Sequence, residues 1–157
     1  MEHNGTSSSL VTPGTWLKLA VAYLIGGVAL GIAMGSSQNF LMRPVHAHLN
    51  LLGWATMALA GLIYTVYPRA GRSRLATVHF WLHNTSLPVM MGSLALVLLG
   101  RTQVVPVLAA AEMVAAVGVL VFACNVFLNV KSPAASTAAV SSTGPTLAPR
   151  AKTVLAP

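Results

Sequence analysis

Four long apolar runs separated by short connectors constrain this chain more than any other feature of its sequence. The runs cover residues 16–36, 44–67, 75–100 and 104–130. Each of them reaches the roughly 20 residues that an α-helix needs to cross a bilayer. The connectors SQNFLMR, PRAGRSR and RTQ are short enough to make neighbouring helices antiparallel. The sequence therefore predicts an all-α fold, a four-helix transmembrane bundle with antiparallel neighbours.

The composition agrees with this prediction. Of the 157 residues, 55% are hydrophobic and only 7% are charged, and the mean hydropathy is +0.75. A soluble domain carries about 25% charged residues. Because so few charges cannot cover a water-facing surface, we expect a multi-pass membrane protein in contact with the lipid bilayer.

Polar segments flank the apolar region on both sides. Residues 1–15 lack the basic start of a secretory signal peptide, so the first apolar run is expected to remain as a membrane anchor. Residues 131–157 are rich in Ala, Ser, Thr and Pro, which predicts a disordered tail. The transmembrane domain is therefore predicted to cover residues 16–130.

The basic residues predict the orientation of the helices. The formal net charge is +7, but the charges lie between apolar runs and form no single basic face, so no nucleic-acid partner is indicated. The side that holds both termini has seven basic residues, and the other side has two. The seven are Lys18, Arg69, Arg72, Arg74, Lys131, Arg150 and Lys152, and the two are Arg43 and Arg101. The positive-inside rule then predicts that both termini are cytoplasmic.

The second apolar run, which opens RPVHAHLNLLGW, begins with two histidines. An ionisable residue in a membrane segment is a functional hypothesis by default. At 100° per residue His46, Asn50 and Gly53 fall on one stripe, whereas His48 points about 200° away from His46. The stripe is the better candidate to face the bundle, since Gly53 leaves room for a large, flat group. Anchoring at the lipid boundary is the alternative interpretation of a histidine at a helix end.

The third apolar run carries a second histidine pair. His79 and His83 are four residues apart and lie on one helical face, which Ser86 and Met90 continue. Two histidines at this spacing can share a metal ion. The pair lies in the cytoplasmic half, and His83 differs in depth from His46 by roughly 20 Å. One iron cannot join histidines so far apart, so no bis-histidine pair within the chain is evident.

Other candidates lie near the outer ends of the helices. Glu112 is the only acidic residue in the apolar runs, and it is expected to pair with a histidine or Arg43, or to make one interhelical hydrogen bond as a neutral carboxyl. Met34 and Met42 flank the approach to His46. Thioether and imidazole together suit copper(I) or a haem iron, although methionine in apolar helices also serves as packing.

The first apolar run contains glycines at a regular spacing. Gly27, Gly31 and Gly35 recur every four residues, which permits a neighbouring backbone to approach closely. We expect this face to pack against another helix of the bundle. It would serve equally well as a dimer contact.

The motifs PVHAHLNLLGW and HFWLHN resemble the second and third transmembrane helices of subunit I of the haem–copper oxidases. The likeness is greatest to their cytochrome-bc-type and nitric-oxide-reductase branches, and to short four-helix bacterial membrane proteins described as cytochrome-c-oxidase-like. It covers residues 16–130. The resemblance implies that His46 is an axial ligand of a haem, that His48 occupies a place usually held by asparagine, and that the location is a bacterial inner (cytoplasmic) membrane.

The chain also departs from that family. The large subunits have about twelve helices, and those that supply the partner haem ligand and the copper ligands have no counterpart here. The resemblance therefore does not imply reduction of oxygen or nitric oxide. The second ligand of a haem would come from His46 of a second copy in a homodimer, or from Met34 or Met42, or would be missing in a gas sensor.

Four functions follow from these features. The first is a small b-type cytochrome in electron transfer or gas sensing, with a respiratory oxidase or cytochrome c as partner and haem b held by His46, His48, Asn50, Gly53 and Met34. The second is a copper-binding or oxidase-assembly protein with an outer-face site among Met34, Met42, His46, His48 and Glu112, and with His79 and His83 as a separate candidate metal pair. The third is a structural subunit without a cofactor, and the fourth and least expected is a transporter. No nucleophile–base pair or phosphate loop supports an enzyme.

Overall fold

The computed structural model describes residues 12–131, and this part of the chain is helical with no strand. Its four long helices are Pro13–Ser37, Arg43–Val66, Arg74–Leu98 and Val105–Asn129. A short helix, Pro68–Gly71, follows the second long helix, and a 3-10 turn, Thr102–Val104, precedes the fourth. The all-α prediction is confirmed. The predicted disordered tail, apart from Lys131, and most of the polar N-terminal segment lie outside the described residues.

Local sequence signals account for where two of the long helices begin. The Thr12 hydroxyl accepts a hydrogen bond from the Thr15 amide at 3.2 Å, and Pro13 occupies the first turn, where a missing N–H costs nothing. Ser73 caps the third long helix in the same way, accepting from the Ala76 amide at 3.1 Å. The capped starts of the first and third helices lie at the same end of the bundle as the last residues of the second helix.

The first and second long helices form an antiparallel pair. A methyl group added at Gly27 would lie 2.7 Å from Asn50 Nδ2, and one at Gly31 would lie 2.9 Å from His46 Cε1. Close packing at the regularly spaced glycines therefore occurs at two of the three predicted positions. Nothing lies within 4 Å of a Cβ built at Gly35.

The third and fourth long helices form a second antiparallel pair. Gly118 faces Leu82 near the middle of both helices, and near one end the Ser73 hydroxyl donates a hydrogen bond to Asn125 Oδ1 at 2.8 Å. The two pairs meet through side chains of all four long helices, for example Trp16 against Phe80 and Tyr64 against Asn125. The face predicted for the third helix is buried, with His79 and His83 0% and 2% exposed and Ser86 and Met90 likewise inside.

Within residues 12–131, three helical segments are long and apolar enough to cross a membrane: Pro13–Ser37, Arg43–Val66 and Thr102–Asn129. The outer surface of the bundle is largely apolar, as shown by Ile32 at 67% and Phe127 at 87% exposure, whereas His79, His83 and Asn125 lie inside. This distribution is the one that lipid favours, because a lipid-facing polar group has no partner. The third long helix has the same 25-residue length as the first but carries more polar residues in its interior.

Candidate functional site

His46 lies between the first and second long helices, near the end of the bundle where the first helix closes and the second begins. This end is called the His46 end, and the opposite one the Tyr64 end. Nδ1 of His46 is 2.9 Å from the Gly27 carbonyl oxygen. A carbonyl only accepts, so Nδ1 carries the proton and Nε2 keeps its lone pair. The Asn50 amide donates to the His46 carbonyl at 2.8 Å and touches the ring at 3.4 and 3.5 Å.

The stripe of His46, Asn50 and Gly53 on the second helix does not leave the space for a large, flat group that its spacing predicted. A Cβ at Gly53 would lie 2.6 Å from the Tyr23 ring of the first helix. Gly27 and Gly31 are likewise covered by Asn50 and His46. The glycines therefore admit side chains of this chain, and the helices meet closely along the stripe.

His48 faces away from His46, as the helical geometry predicted. It is exposed, and its Nδ1 donates to the Pro44 carbonyl at 2.7 Å. It lines a cavity of about 270 Å³ between the second, third and fourth helices, together with Glu112 and His83. This space is called the His83 cavity. Its wall brings together three of the predicted candidates, which come from three different helices.

Met34, Met42 and Arg43 also lie at the His46 end. The two methionines line one shallow cavity of about 220 Å³, together with Leu30, Ser37 and Leu99. The Arg43 guanidinium lies 5.3 Å from the centre of the Phe40 ring, so the cation is held by an aromatic face at the start of the second helix. Met34 and Met42 therefore line the same cavity, but the residues that line it do not include His46.

At the Tyr64 end a buried hydrogen-bond network joins three long helices. The Tyr64 hydroxyl lies 3.0 Å from His79 Nδ1 and accepts from Asn125 Nδ2 at 3.3 Å. Asn125 is fully buried and also donates to the Ala70 carbonyl at 3.1 Å. Its Oδ1 accepts from Ser73 and Asn129, both at 2.8 Å. All four bonding positions of this amide are used, so its orientation is determined.

Aromatic rings enclose His79. The centre of the Trp16 ring lies 4.6 Å from that of His79, and the Phe122 ring centre lies 4.9 Å from it. Trp16 is 0% exposed and also contacts Phe80, with ring centres 5.2 Å apart. The histidine is therefore surrounded by apolar rings and bonded through one nitrogen only.

His83 is bonded to an unusual part of the second helix. Residues Leu49–Thr56 form a π-helical stretch, and the Leu52 carbonyl within it accepts from His83 Nε2 at 3.0 Å. Nε2 therefore carries the proton and Nδ1 keeps a lone pair. π-Helical turns are rare and frequently mark functional sites. Nothing in the apolar pattern of the sequence distinguishes this stretch from regular helix.

Three buried ring nitrogens have no hydrogen-bond partner in the part of the chain that the structure describes. They are Trp16 Nε1, His79 Nε2 and His83 Nδ1. The two histidine rings lie on adjacent turns with centres 5.6 Å apart. An unpaired buried polar atom costs about 1–3 kcal/mol and calls for an explanation.

The candidate metal ligands do not form one cluster. Among residues 12–131 no group of three or more His, Cys, Asp or Glu side chains is arranged to hold an ion. His46, His48 and the His79–His83 pair lie in different surroundings, and the paired histidines have Tyr64 and Leu52 as partners. The His79–His83 pair, predicted as a possible metal site, therefore has no third ligand of these types beside it among the described residues.

Sequence reasoning missed Trp16 and the role of Asn125. An asparagine within an apolar run signals a required partner, but the partners are 52 to 61 residues away in sequence. Comparison with known proteins found no matching family model, no matching curated protein and no matching solved structure.

Proposed function

We propose that this chain crosses the bacterial inner membrane four times with both termini in the cytoplasm. The third long helix has 25 residues. At a rise of about 1.5 Å per residue, the length of this helix exceeds the roughly 30 Å thickness of the hydrocarbon core, so it is long enough to cross. Its neighbours in the bundle cover its polar face. The His46 end then lies outside and the Tyr64 end, with its arginines, inside.

We further propose that the protein is a small membrane redox or gas-sensing protein that holds haem b through His46. The observation that carries this proposal is the 2.9 Å contact between His46 Nδ1 and the Gly27 carbonyl. Metal-binding histidines almost always donate their other N–H to such an acceptor, which orients the ring. Nε2 is left as the ligand atom, and the Asn50 amide, which donates to the His46 carbonyl, lies beside the same ring. When bound, a haem iron supplies one-electron chemistry or a site for a diatomic gas.

The nitrogen donor fits a haem iron, but the space within one copy does not fit a porphyrin. His46 and Asn50 fill the contact at Gly27 and Gly31, and Tyr23 fills the one at Gly53. A cavity of about 720 Å³ opens at the Tyr64 end, and no histidine lines it. The proposal therefore includes a homodimer, in which a second copy completes the site and supplies the second ligand.

A copper-binding or oxidase-assembly protein without haem is the second candidate. Met34 and Met42 line one cavity at the His46 end, and thioethers suit copper(I). Either candidate would act beside a respiratory oxidase or cytochrome c at the outer face.

The test is an absorption spectrum of detergent-purified protein, oxidised and reduced, with iron and copper analysis of the same sample. A haem band that His46→Ala removes and His48→Ala keeps supports haem binding, since His48 faces another cavity. One haem for two chains by light scattering supports the dimer. Copper without iron favours the second candidate. Folded protein that is colourless and unchanged by added hemin, and that also lacks copper, contradicts both.

A further inference from the structure

Two cavities lie on opposite sides of the buried histidine pair, one reaching Tyr64, which is bonded to His79, and the other reaching His83. The larger cavity, about 720 Å³ and here called the Tyr64 cavity, is lined by Thr12, Leu17, Tyr64, Arg72 and Thr77. The His83 cavity, about 270 Å³, is lined by His48, His83, Met90 and Glu112. Each cavity therefore ends on a side chain that can give or take a proton.

The groups between these cavities form a short series. Tyr64 is bonded to His79 at 3.0 Å, and His79 lies one turn before His83, with ring centres 5.6 Å apart. In this pair His79 Nε2 and His83 Nδ1 are both buried and lack hydrogen-bond partners among the described residues. Buried polar groups in a membrane protein are costly and commonly mark ion or proton pathways.

The hydrogen bonds assign complementary roles to the two unpaired nitrogens. His83 donates from Nε2 to the Leu52 carbonyl, so its Nδ1 is an acceptor. The Tyr64 oxygen already accepts from Asn125, and the arrangement that satisfies each group has its O–H donate to His79 Nδ1. His79 Nε2 is then a donor. A donor and an acceptor on adjacent turns can exchange a proton directly or through one bridging water.

We propose that Tyr64, His79 and His83 form a proton path between the Tyr64 cavity and the His83 cavity. The proposal does not depend on His46 or on any cofactor. The Tyr64 hydroxyl gives its proton to His79 Nδ1, His79 releases its Nε2 proton to His83 Nδ1, and His83 releases its Nε2 proton to the cavity that Glu112 and His48 face. Tyr64 regains a proton from the cavity beside Arg72. One proton enters, one leaves and no electron is transferred; both histidines then hold their proton on Nδ1, and reorientation of the two rings restores the starting tautomers.

The test uses full-length protein in liposomes that contain a pH-sensitive dye. A potassium gradient with valinomycin imposes a membrane potential, and the initial rate of internal pH change is measured. Wild-type protein is expected to exceed empty liposomes. Tyr64→Phe and His83→Gln are each expected to reduce the rate at least about tenfold, because each removes one proton-transfer group. Tyr67→Phe is the matched control and is expected to conduct like the wild type.

His83→Gln keeps an N–H that can bond to the Leu52 carbonyl, which favours folding. Size-exclusion chromatography and thermal melting confirm that each variant is folded. A folded Tyr64→Phe or His83→Gln that conducts at the wild-type rate overturns the proposal. So does wild-type flux equal to that of empty liposomes, a measurement that needs no variant.

Discussion

The Tyr64 hydroxyl lies 3.0 Å from His79 Nδ1, in the interior where the second long helix meets the third. Asn125 of the fourth helix bonds to the same hydroxyl at 3.3 Å, so one phenol oxygen links three helices. Around this contact the rings of Trp16 and Phe122 pack against the His79 ring. The interior at this end of the bundle is therefore organised by hydrogen bonds as well as by apolar packing.

Loss of the Asn125 amide should destabilise the bundle. Asn125→Ala leaves the Tyr64 and Ser73 hydroxyls and the Ala70 carbonyl without their shared partner, and we expect a loss of about 1–3 kcal/mol in the free energy of unfolding. Asn84→Ala is the matched control, because Asn84 donates only to Phe80 in its own helical turn. Denaturant unfolding in detergent, followed by circular dichroism, measures both. Equal stability of the two variants would show that the network contributes nothing.

The glycines of the first helix should differ in their tolerance of a methyl group. Gly31→Ala places a Cβ 2.9 Å from the His46 ring, and we expect about 1–3 kcal/mol of destabilisation from overpacking. At Gly26 nothing lies within 4 Å, so Gly26→Ala should be neutral or stabilising by about 0.5–1 kcal/mol through helix propensity. The melting temperatures of both variants in one detergent make the comparison. A stable Gly31→Ala protein would be incompatible with the packing of His46 described above.

Trp16 and Trp81 provide a matched pair of substitutions that tests the aromatic core. Trp16 is 0% exposed and Trp81 is 52% exposed, although both belong to long helices. Trp16→Ala should cost about 3–5 kcal/mol, since it leaves a cavity beside His79 and Phe80. Trp81→Ala should change the stability much less. Unfolding followed by circular dichroism compares them, and a mild effect of Trp16→Ala would argue against the aromatic enclosure of His79.

The histidine tautomers should be visible by NMR. A carbonyl partner requires Nδ1–H at His46 and His48 but Nε2–H at His83, with distances of 2.9, 2.7 and 3.0 Å. Long-range nitrogen–proton correlation spectra of protein labelled in histidine nitrogen distinguish the two forms when the rings are neutral. Single His→Gln variants assign the signals. An Nδ1–H form at His83 would remove both the Leu52 contact and the acceptor on which the proton path rests.

Helical periodicity predicted part of this interior correctly. The spacing of His79, His83, Ser86 and Met90 placed them on one face, and all four are buried. The opposite directions of His46 and His48 followed from the 100° turn per residue, and one is half-buried while the other is exposed. Such predictions succeed because the direction of a side chain depends on its own helix.

Other features depended on which helices meet and at what depth. The stripe through Gly53 was predicted to leave room, yet Tyr23 fills it, because a glycine opens space that the neighbouring helix can occupy. Glu112, His48 and His83 belong to three helices, and only the packing brought them to one cavity. The π-helical stretch at Leu49–Thr56 likewise has no signature in the apolar pattern.

The sequence by itself determined that the chain is all-helical, that its helices are long enough for a membrane, and which residues share a helical face. Hydrophobicity and helical repeat are local properties, so they can be read residue by residue. Only the tertiary structure decided that Tyr64 bonds to His79, that Asn125 completes that network, and that His46 is oriented by Gly27. These contacts depend on the register between helices, which side-chain shapes from distant segments set together.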